Sequence, residues 1–353
     1  VAKIDGIEVI RTWVKASPSS SFSNRIAFYL SFALMSTLAG LLKARGPFDL
    51  VYATSPPLFV GCAGVVIAFL RRVPFVLEVR DLWPESAVTL GQLKNRALIA
   101  LATVLEKICY RQASHIVVTA QEMFDHFVDR RIPADKITVV RNGANTKLFR
   151  RSPDLRRRIR FDLELEEFFI IMYAGLHGLA QDLETLLKVA ESLQEEHPEI
   201  RFLLIGDGPN KRQLQLAAEK RALSNVVFLP SQPRERIQEF INAADVTLAP
   251  LNPPHLRGAI PSKIFDSMAC GVPVIVAAAG EARRVVEEAE AGVAVEPGDA
   301  RALREAILHL SRHPELRARI GQRGRDAAVK KYSRSKQAQI LARLLEGLSG
   351  ELH

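Results

Sequence analysis

Residues 259–276 read AIPSKIFDSMACGVPVIV and decide the architecture. A short polar loop ending at Pro261 feeds a helical segment, Gly271 closes it, and the apolar run 272–276 follows as a buried-type strand. This is one turn of an α/β fold, with an ammonium, Lys263, and a carboxylate, Asp266, near the start of its helix. A helix N-terminus presents unpaired N–H groups and the positive end of a dipole, which suits a phosphate. A carboxylate one turn further in can accept hydrogen bonds from sugar hydroxyls. The segment therefore fits a nucleotide-sugar site. It equally fits an ordinary helix whose core face is Ile264, Phe265 and Met268, with Lys263 and Asp266 as a solvated i, i+3 pair.

The same strand-then-helix alternation extends in both directions. Apolar runs at 50–53, 75–79 and 115–119 end in the loops Thr54-Ser55-Pro56-Pro57, Arg80 to Glu85 and the helical stretch 121–130; another helical stretch spans 93–112. The turn signal 139–145 closes this half, and the charge-rich segment 147–167 reads as a connector. The pattern restarts at 168–175 and continues through 202–205, 226–229, 246–250, 272–277 and 292–295. The expectation is α/β: two tandem Rossmann-like, doubly wound parallel-sheet domains with an interdomain cleft.

At 353 residues the chain has room for two cores. Its 48 Lys and Arg against 39 Asp and Glu leave a net charge of +9, which favours polyanions or an anionic membrane surface. No aromatic-interleaved basic stripe or nucleic-acid module is visible, so nucleic acid is not an expected partner. The basic runs at 150–151, 156–158 and 330–331 read as solvated faces. Cys62, Cys109 and Cys270 lack metal-ligand spacing and read as reduced packing residues of a cytosolic chain.

The opening residues 3–11 read as the turn and strand of an α/β domain already under way, and a preceding strand-helix unit is expected to be missing. Residues 26–42 hold no charge and are flanked by Arg25 and Lys43, with Phe22, Phe28, Tyr29 and Phe32 at one end. A core helix, a monotopic membrane helix and a true span all suit this segment. The second uncharged run, 58–70, is too short to span and reads as core.

Glycosyl transfer needs a grip on the pyrophosphate, a sugar pocket and a route for the acceptor. The sequence contains no Asp-x-Asp, so a metal-free mechanism is expected, with N–H groups, Lys and Arg meeting the leaving-group charge. No cofactor beyond the nucleotide sugar itself is called for. The strand and glycine turn Tyr173-Ala174-Gly175-Leu176-His177-Gly178 is placed to offer backbone amides to a phosphate, although such a turn more often merely closes a βα unit.

Taken together, the Asn142-Gly143 turn, Gly206-Asp207-Gly208, Pro261-Ser262-Lys263 and the segment 269–274 resemble retaining glycosyltransferases of family 4, which have the GT-B fold. With Arg80-Asp81-Leu82-Trp83-Pro84-Glu85, the chain is most similar to a branch of O-antigen and capsule amino-sugar transferases of the fucosamine type. The resemblance implies an acceptor-side domain, 1–148, joined by the C-terminal helix 333–349, and a nucleotide-sugar domain, 149–332. It implies that Asp266 receives the ribose hydroxyls and that Lys263 lies near the pyrophosphate.

Two departures qualify that picture. Of the family's E-x7-E pair, Asp266 replaces the second glutamate and Gly258 stands where the first would be, so the backbone N–H groups of Ala259 and Ile260 are candidates for the lost contact. The basic residue expected after the first glycine turn is replaced by Leu179 and Ala180, for which His177, Arg257 or Lys263 can compensate. On the acceptor side, Thr54, Ser55, Trp83 and Glu85 are the expected contacts. Arg80 and Asp81 are the expected catalytic pair, one offsetting an acceptor phosphate and the other orienting the hydroxyl. Each also has a plain structural role: Trp83 in the core, Arg80 in an ion pair with Asp81 or Glu85. His126, His197, His309 and His313 read as surface residues.

The function expected is metal-independent, retaining transfer from a nucleotide-diphosphate sugar, UDP favoured, to a lipid-linked or polysaccharide acceptor in cell-surface glycan synthesis. It would take place in the cytoplasm at the inner face of the membrane. A nucleotide-sugar epimerase of the same shape and a non-catalytic membrane-associated assembly factor are the alternatives.

Overall fold

Among the described residues, ten parallel strands fall into two separate sheets. A computed structural model of the chain describes residues 1–17, 22–89, 91–252 and 258–350. The chain divides into one unit of Val1–Val140 with Gln339–His353, and a second of Arg141–Ala338.

In the first unit, β1 (Ala2–Ile4) and β2 (Ile7–Val9) precede α1 (Phe22–Leu42). Then come β3 (Val51–Ser55), α2 (Leu58–Arg71), β4 (Phe75–Val79), α3 (Glu85–Thr89), α4 (Arg96–Gln112), β5 (His115–Val118), α5 (Gln121–Asp129) and β6 (Ile137–Val139). The sheet runs β3-β4-β5-β6, every pair parallel. Its middle strands are covered on both faces: Val76, Leu77, Ile116, Val117 and Val118 are buried, which is why they read as unbroken apolar runs.

The opening residues do not join this sheet. Instead β1 and β2 pair antiparallel with each other, turning at Asp5 and Gly6, both of which have positive φ. An Asp-Gly pair is the preferred two-residue hairpin turn, and three-residue strands give little to pair with beyond each other.

Helix α1 is not a core helix among its described side chains. Over Asn24–Leu42, whose mean hydropathy is 1.5, only 6% of the stretch is buried; Phe28, Leu30, Leu34 and Leu38 are exposed. It is held by α2, where Arg71 Nη2 donates to the carbonyls of Gly40, Leu41 and Ala44, a cation on a helix C-terminus. The run 58–70 is core on one face only: Leu58, Ala63 and Ala68 are buried, whereas Val66, Phe69 and Leu70 are exposed.

The second unit begins with α6 (Pro153–Asp162), β7 (Phe169–Ala174), α7 (Leu183–Leu193), β8 (Ile200–Ile205), α8 (Lys211–Lys220) and β9 (Val226–Leu229). It continues with α9 (Arg234–Ala243), β10 (Val246–Pro250), α10 (Ser262–Cys270), β11 (Val274–Ala277), α11 (Gly280–Glu288) and β12 (Gly292–Val295). Helices α12 (Ala300–Arg312), α13 (Pro314–Lys330) and α14 (Arg334–Gly350) end the described chain. The sheet order is β12-β11-β10-β7-β8-β9, all parallel. Successive strands are added on opposite sides of the β10/β7 pair, so a topological switch point opens there at the carboxyl ends.

The segment 147–167 is more than a connector. Ser152 caps α6, whose Arg156 and Arg160 close the C-terminal end of α9. Arg156 Nη1 reaches the carbonyl of Ala244 at 2.8 Å and Arg160 Nε that of Ala243 at 2.9 Å. Both pair with Asp245, at 2.6 and 2.5 Å, and Asp245 also accepts the Ile170 N–H at 2.8 Å. Arg156 therefore leaves the solvated run in which its sequence neighbours Arg157 and Arg158 remain.

Candidate functional site

The switch point of the second sheet is a cavity of about 460 Å³. Its floor is made by two strand ends. Gly175 follows β7 with φ +146° and Gly206 follows β8 with φ +145°. Gly175 N–H donates to the Ile205 carbonyl at 2.9 Å. A Cβ on Gly206 would stand 1.9 Å from the Gly175 carbonyl oxygen, and one on Gly175 would stand 2.8 Å from Lys263 Nζ. Gly206 has no room for a side chain, one at Gly175 would displace the Lys263 ammonium, and both backbones favour glycine.

Helix α10 forms one wall. Gly271, in the left-handed region, closes it. Ile264, Phe265 and Met268 face the core with no measurable exposure, as the apolar spacing requires. Ser262, Lys263, Asp266 and Ser267 line the cavity. Lys263 is half-buried, with Nζ 3.7 Å from the centroid of the Tyr173 ring. Burial pushes its ammonium down to about 7. Asp266 is buried, and burial raises its carboxyl to about 6 against the opposing pull of Arg234 and Arg334. The two groups are therefore not a solvated surface pair.

Across the cavity, Arg234 at the start of α9 donates from Nη2 to both carboxylate oxygens of Asp266, each at 3.1 Å. Sequence reasoning missed this residue. It follows a proline at a helix start, where a basic side chain normally faces solvent; 43% of the side chain is still exposed, and the packing of α9 beside α10 brings its guanidinium to Asp266. Asp207, Ser231 and Gln232 complete the polar rim.

Among the expected donor contacts, Gly175, Gly206, Ser262, Lys263 and Asp266 line one cavity, whereas His177, Gly178, Ala259 and Ile260 are not part of its lining. Ile260 is buried. His177 is fully buried, with its ring beside those of Tyr173 and Phe228. Burial and the charges of Lys211 and Lys263 lower its pKa, opposed by Asp207, so it is a neutral packing residue. Its backbone N–H is bonded to the Asp207 carbonyl at 2.8 Å. The amides of Gly175 and His177 are thus engaged within the protein and do not face a ligand. Arg257 lies outside the described residues.

The first unit has a smaller cavity, about 190 Å³, in which Asp81, Trp83 and Ser86 meet Arg25, Tyr29, Phe59 and Gln92. Trp83 is half-buried, its ring 6.4 Å from that of Phe59. Asp81 accepts a hydrogen bond from Ser86 Oγ at 2.9 Å, and burial raises its pKa. The other expected acceptor residues lie outside the lining. Thr54 is exposed, and Ser55 is buried with its carbonyl accepting the Arg80 N–H at 2.8 Å. The Arg80 side chain turns to Glu78 at 3.7 Å, so Arg80 and Asp81 do not form a pair in one cavity. Adjacent residues leaving a strand end point in different directions, which separates them. Glu85 is held by Arg130 at 3.3 Å and by His126 at 3.7 Å; His126 is accordingly largely covered rather than a surface residue.

Comparison with known proteins matches both units. Residues 2–143 match the model of the glycosyl transferase 4-like domain, and residues 156–327 match that of glycosyl transferases group 1. The putative colanic acid biosynthesis glycosyl transferase WcaI of Escherichia coli K12 is 24% identical over 271 residues, 75% of this chain and 66% of that protein. A D-inositol 3-phosphate glycosyltransferase of Mycobacteroides abscessus is 28% identical over 316 residues, 84% of this chain and 66% of its own length. The chain spans about two fifths to two thirds of the length of the first curated relatives it matches. Among solved structures, Anabaena HepE in complex with UDP-glucose superposes with a TM-score of 0.75 at 20% identity, over 92% of this chain and 84% of that one. The overlay identifies the GT-B fold.

Proposed function

From a chain built of a glycosyl transferase 4-like domain and a group 1 glycosyl transferase domain on a GT-B fold, we propose that this protein transfers a sugar from a nucleotide-diphosphate sugar, UDP favoured. The observation that carries the reading is the juxtaposition of Lys263 and Asp266 on one helix at the switch-point cavity. Asp266 accepts the ribose hydroxyls, and Lys263 meets the pyrophosphate. The cavity volume is that of a small-molecule site.

Transfer proceeds with retention. The acceptor oxygen bonds to the anomeric carbon on the face from which the phosphate departs, the bond from that carbon to the phosphate oxygen breaks, and the acceptor proton passes to the leaving phosphate. No enzymic nucleophile is required, and no divalent cation is needed where a fixed ammonium offsets the leaving charge. Trp83 gives the acceptor sugar a flat face and Asp81 a hydroxyl partner, a feature an epimerase would not need. The acceptor is a lipid-linked saccharide of cell-surface glycan assembly, and the amino-sugar branch suits the segments 80–85 and 261–263. The exposed apolar face of α1 and the net charge of +9 support work at an anionic membrane surface on the cytoplasmic side.

The test is calorimetric titration with a panel of nucleotide sugars, followed by product analysis with lipid-linked saccharide acceptors in excess chelator. Binding of one UDP-sugar and acceptor-dependent release of UDP are expected. Epimerised donor without acceptor, or an absolute need for added Mg²⁺, would refute this function or its metal-free mechanism respectively.

A further inference from the structure

Asp266 is almost enclosed, with 5% of its side chain exposed, yet the donor reading asks it to act as a charged acceptor of hydroxyl protons. An enclosed carboxylate stays ionised only when it is paired, and once protonated it has lost one acceptor oxygen to an O–H. The groups around it can be named element by element. On its own helix, Lys263 lies one turn before it and Cys270 one turn after. From α13, Arg325 Nη1 is bonded to the Ala269 carbonyl at 2.6 Å, and Arg334 at the start of α14 adds a positive charge at longer range. From β10 comes only the neutral Thr247, and β11 presents no titratable side chain. Among the described residues, the cation in hydrogen-bond contact with the carboxylate is Arg234 of α9.

The position of Arg234 is itself fixed. Its guanidinium stands 5.2 Å from the centroid of the Phe149 ring, and Nη2 points between the two oxygens of Asp266, 3.1 Å from each. One nitrogen shared between both oxygens sets the plane of the carboxylate while using only part of each oxygen's capacity, since a carboxylate has about four lone-pair sites.

We infer that Arg234 is a positioning residue that keeps Asp266 ionised and oriented, so that the carboxylate can accept the vicinal hydroxyls of a nucleotide ribose at neutral pH. This rests on the nucleotide-sugar reading of the cavity. Arg234 acts through Asp266, and its removal shifts when the carboxylate is available rather than deleting a contact to the ligand.

The experiment is calorimetric titration of UDP into the wild-type chain and into Arg234→Gln, Arg234→Lys and Asp266→Asn variants, from about pH 5 to about pH 9. Wild-type affinity should fall as pH drops through about 6, where Asp266 protonates. In Arg234→Gln that acid limb should move up by about two pH units, giving roughly tenfold weaker binding than wild type at pH 7; this deficit largely closes near pH 9, where the decline from Lys263 deprotonation is common to both proteins. Arg234→Lys should lie between, and Asp266→Asn should lack the limb altogether. A loss in Arg234→Gln that is the same at every pH, or no loss, would overturn the inference. Failure of UDP and other nucleoside diphosphates to bind the wild type at any pH would instead sink the donor reading. In that event, infrared titration of the carboxyl band in ligand-free wild type and Arg234→Gln still decides whether Arg234 holds Asp266 ionised.

Discussion

The ammonium of Lys263 lies 3.7 Å over the ring of Tyr173, at the point where β7 ends. The ring face attracts a cation but supplies no hydrogen bond, so burial wins and the pKa falls to about 7. Near neutral pH the group is poised between amine and ammonium. A bound pyrophosphate would favour the ammonium and draw a proton from solvent. UDP affinity should therefore decline as pH rises from about 7 towards the ordinary lysine value of about 10.4. Calorimetry at about pH 8 in two buffers of different ionisation enthalpy should report uptake of a proton, absent in Lys263→Met. Equal heats in both buffers would remove Lys263 from the phosphate site.

Asp266→Ala should weaken nucleotide binding by about 1–3 kcal/mol, because the ribose hydroxyls lose their partner. Titration of UDP into the folded variant measures this, with circular dichroism as the control on folding. Unchanged affinity would place the ribose elsewhere.

The surface of α1 can be tested without disturbing a core. Phe28, Leu34 and Leu38 are 37%, 61% and 43% exposed, so replacing all three by serine should leave the unit folded. Flotation with anionic phosphatidylglycerol vesicles should show the parent bound and the triple variant released, with UDP binding retained. A folded variant that floats as well as the parent would eliminate α1 as the membrane contact.

Asp245 joins β10 to α6 by accepting from Arg156, Arg160 and the backbone of Ile170. Asp245→Ala should cost about 3 kcal/mol in urea unfolding, since it strands the enclosed Arg160 guanidinium. Asp245→Asn should cost less by keeping an acceptor in place. A loss below about 1 kcal/mol would show the network to be dispensable.

Much of the fold was legible in the chain. Strands covered on both faces write themselves as unbroken apolar runs, so 75–79 and 246–250 are strands at the residues expected, and the half-buried edge strands 226–229 and 292–295 fall where their apolar runs put them. Gly271 marks the end of α10 because a left-handed cap favours glycine, and the spacing of Ile264, Phe265 and Met268 sets which face of that helix is buried. Local rules of this kind also put Lys263 and Asp266 one turn apart on a single helix. The tertiary structure decided what stands opposite them. Arg234 meets Asp266 across 32 positions of sequence, and the packing of α9 beside α10 brings them together. His177 and Ile260 were withdrawn from the cavity by burial, and Arg80 parted from Asp81 towards Glu78. Neighbours along the chain share a local conformation, but the partner of a polar side chain is chosen by which distant element packs against it, and no spacing in the sequence encodes that choice.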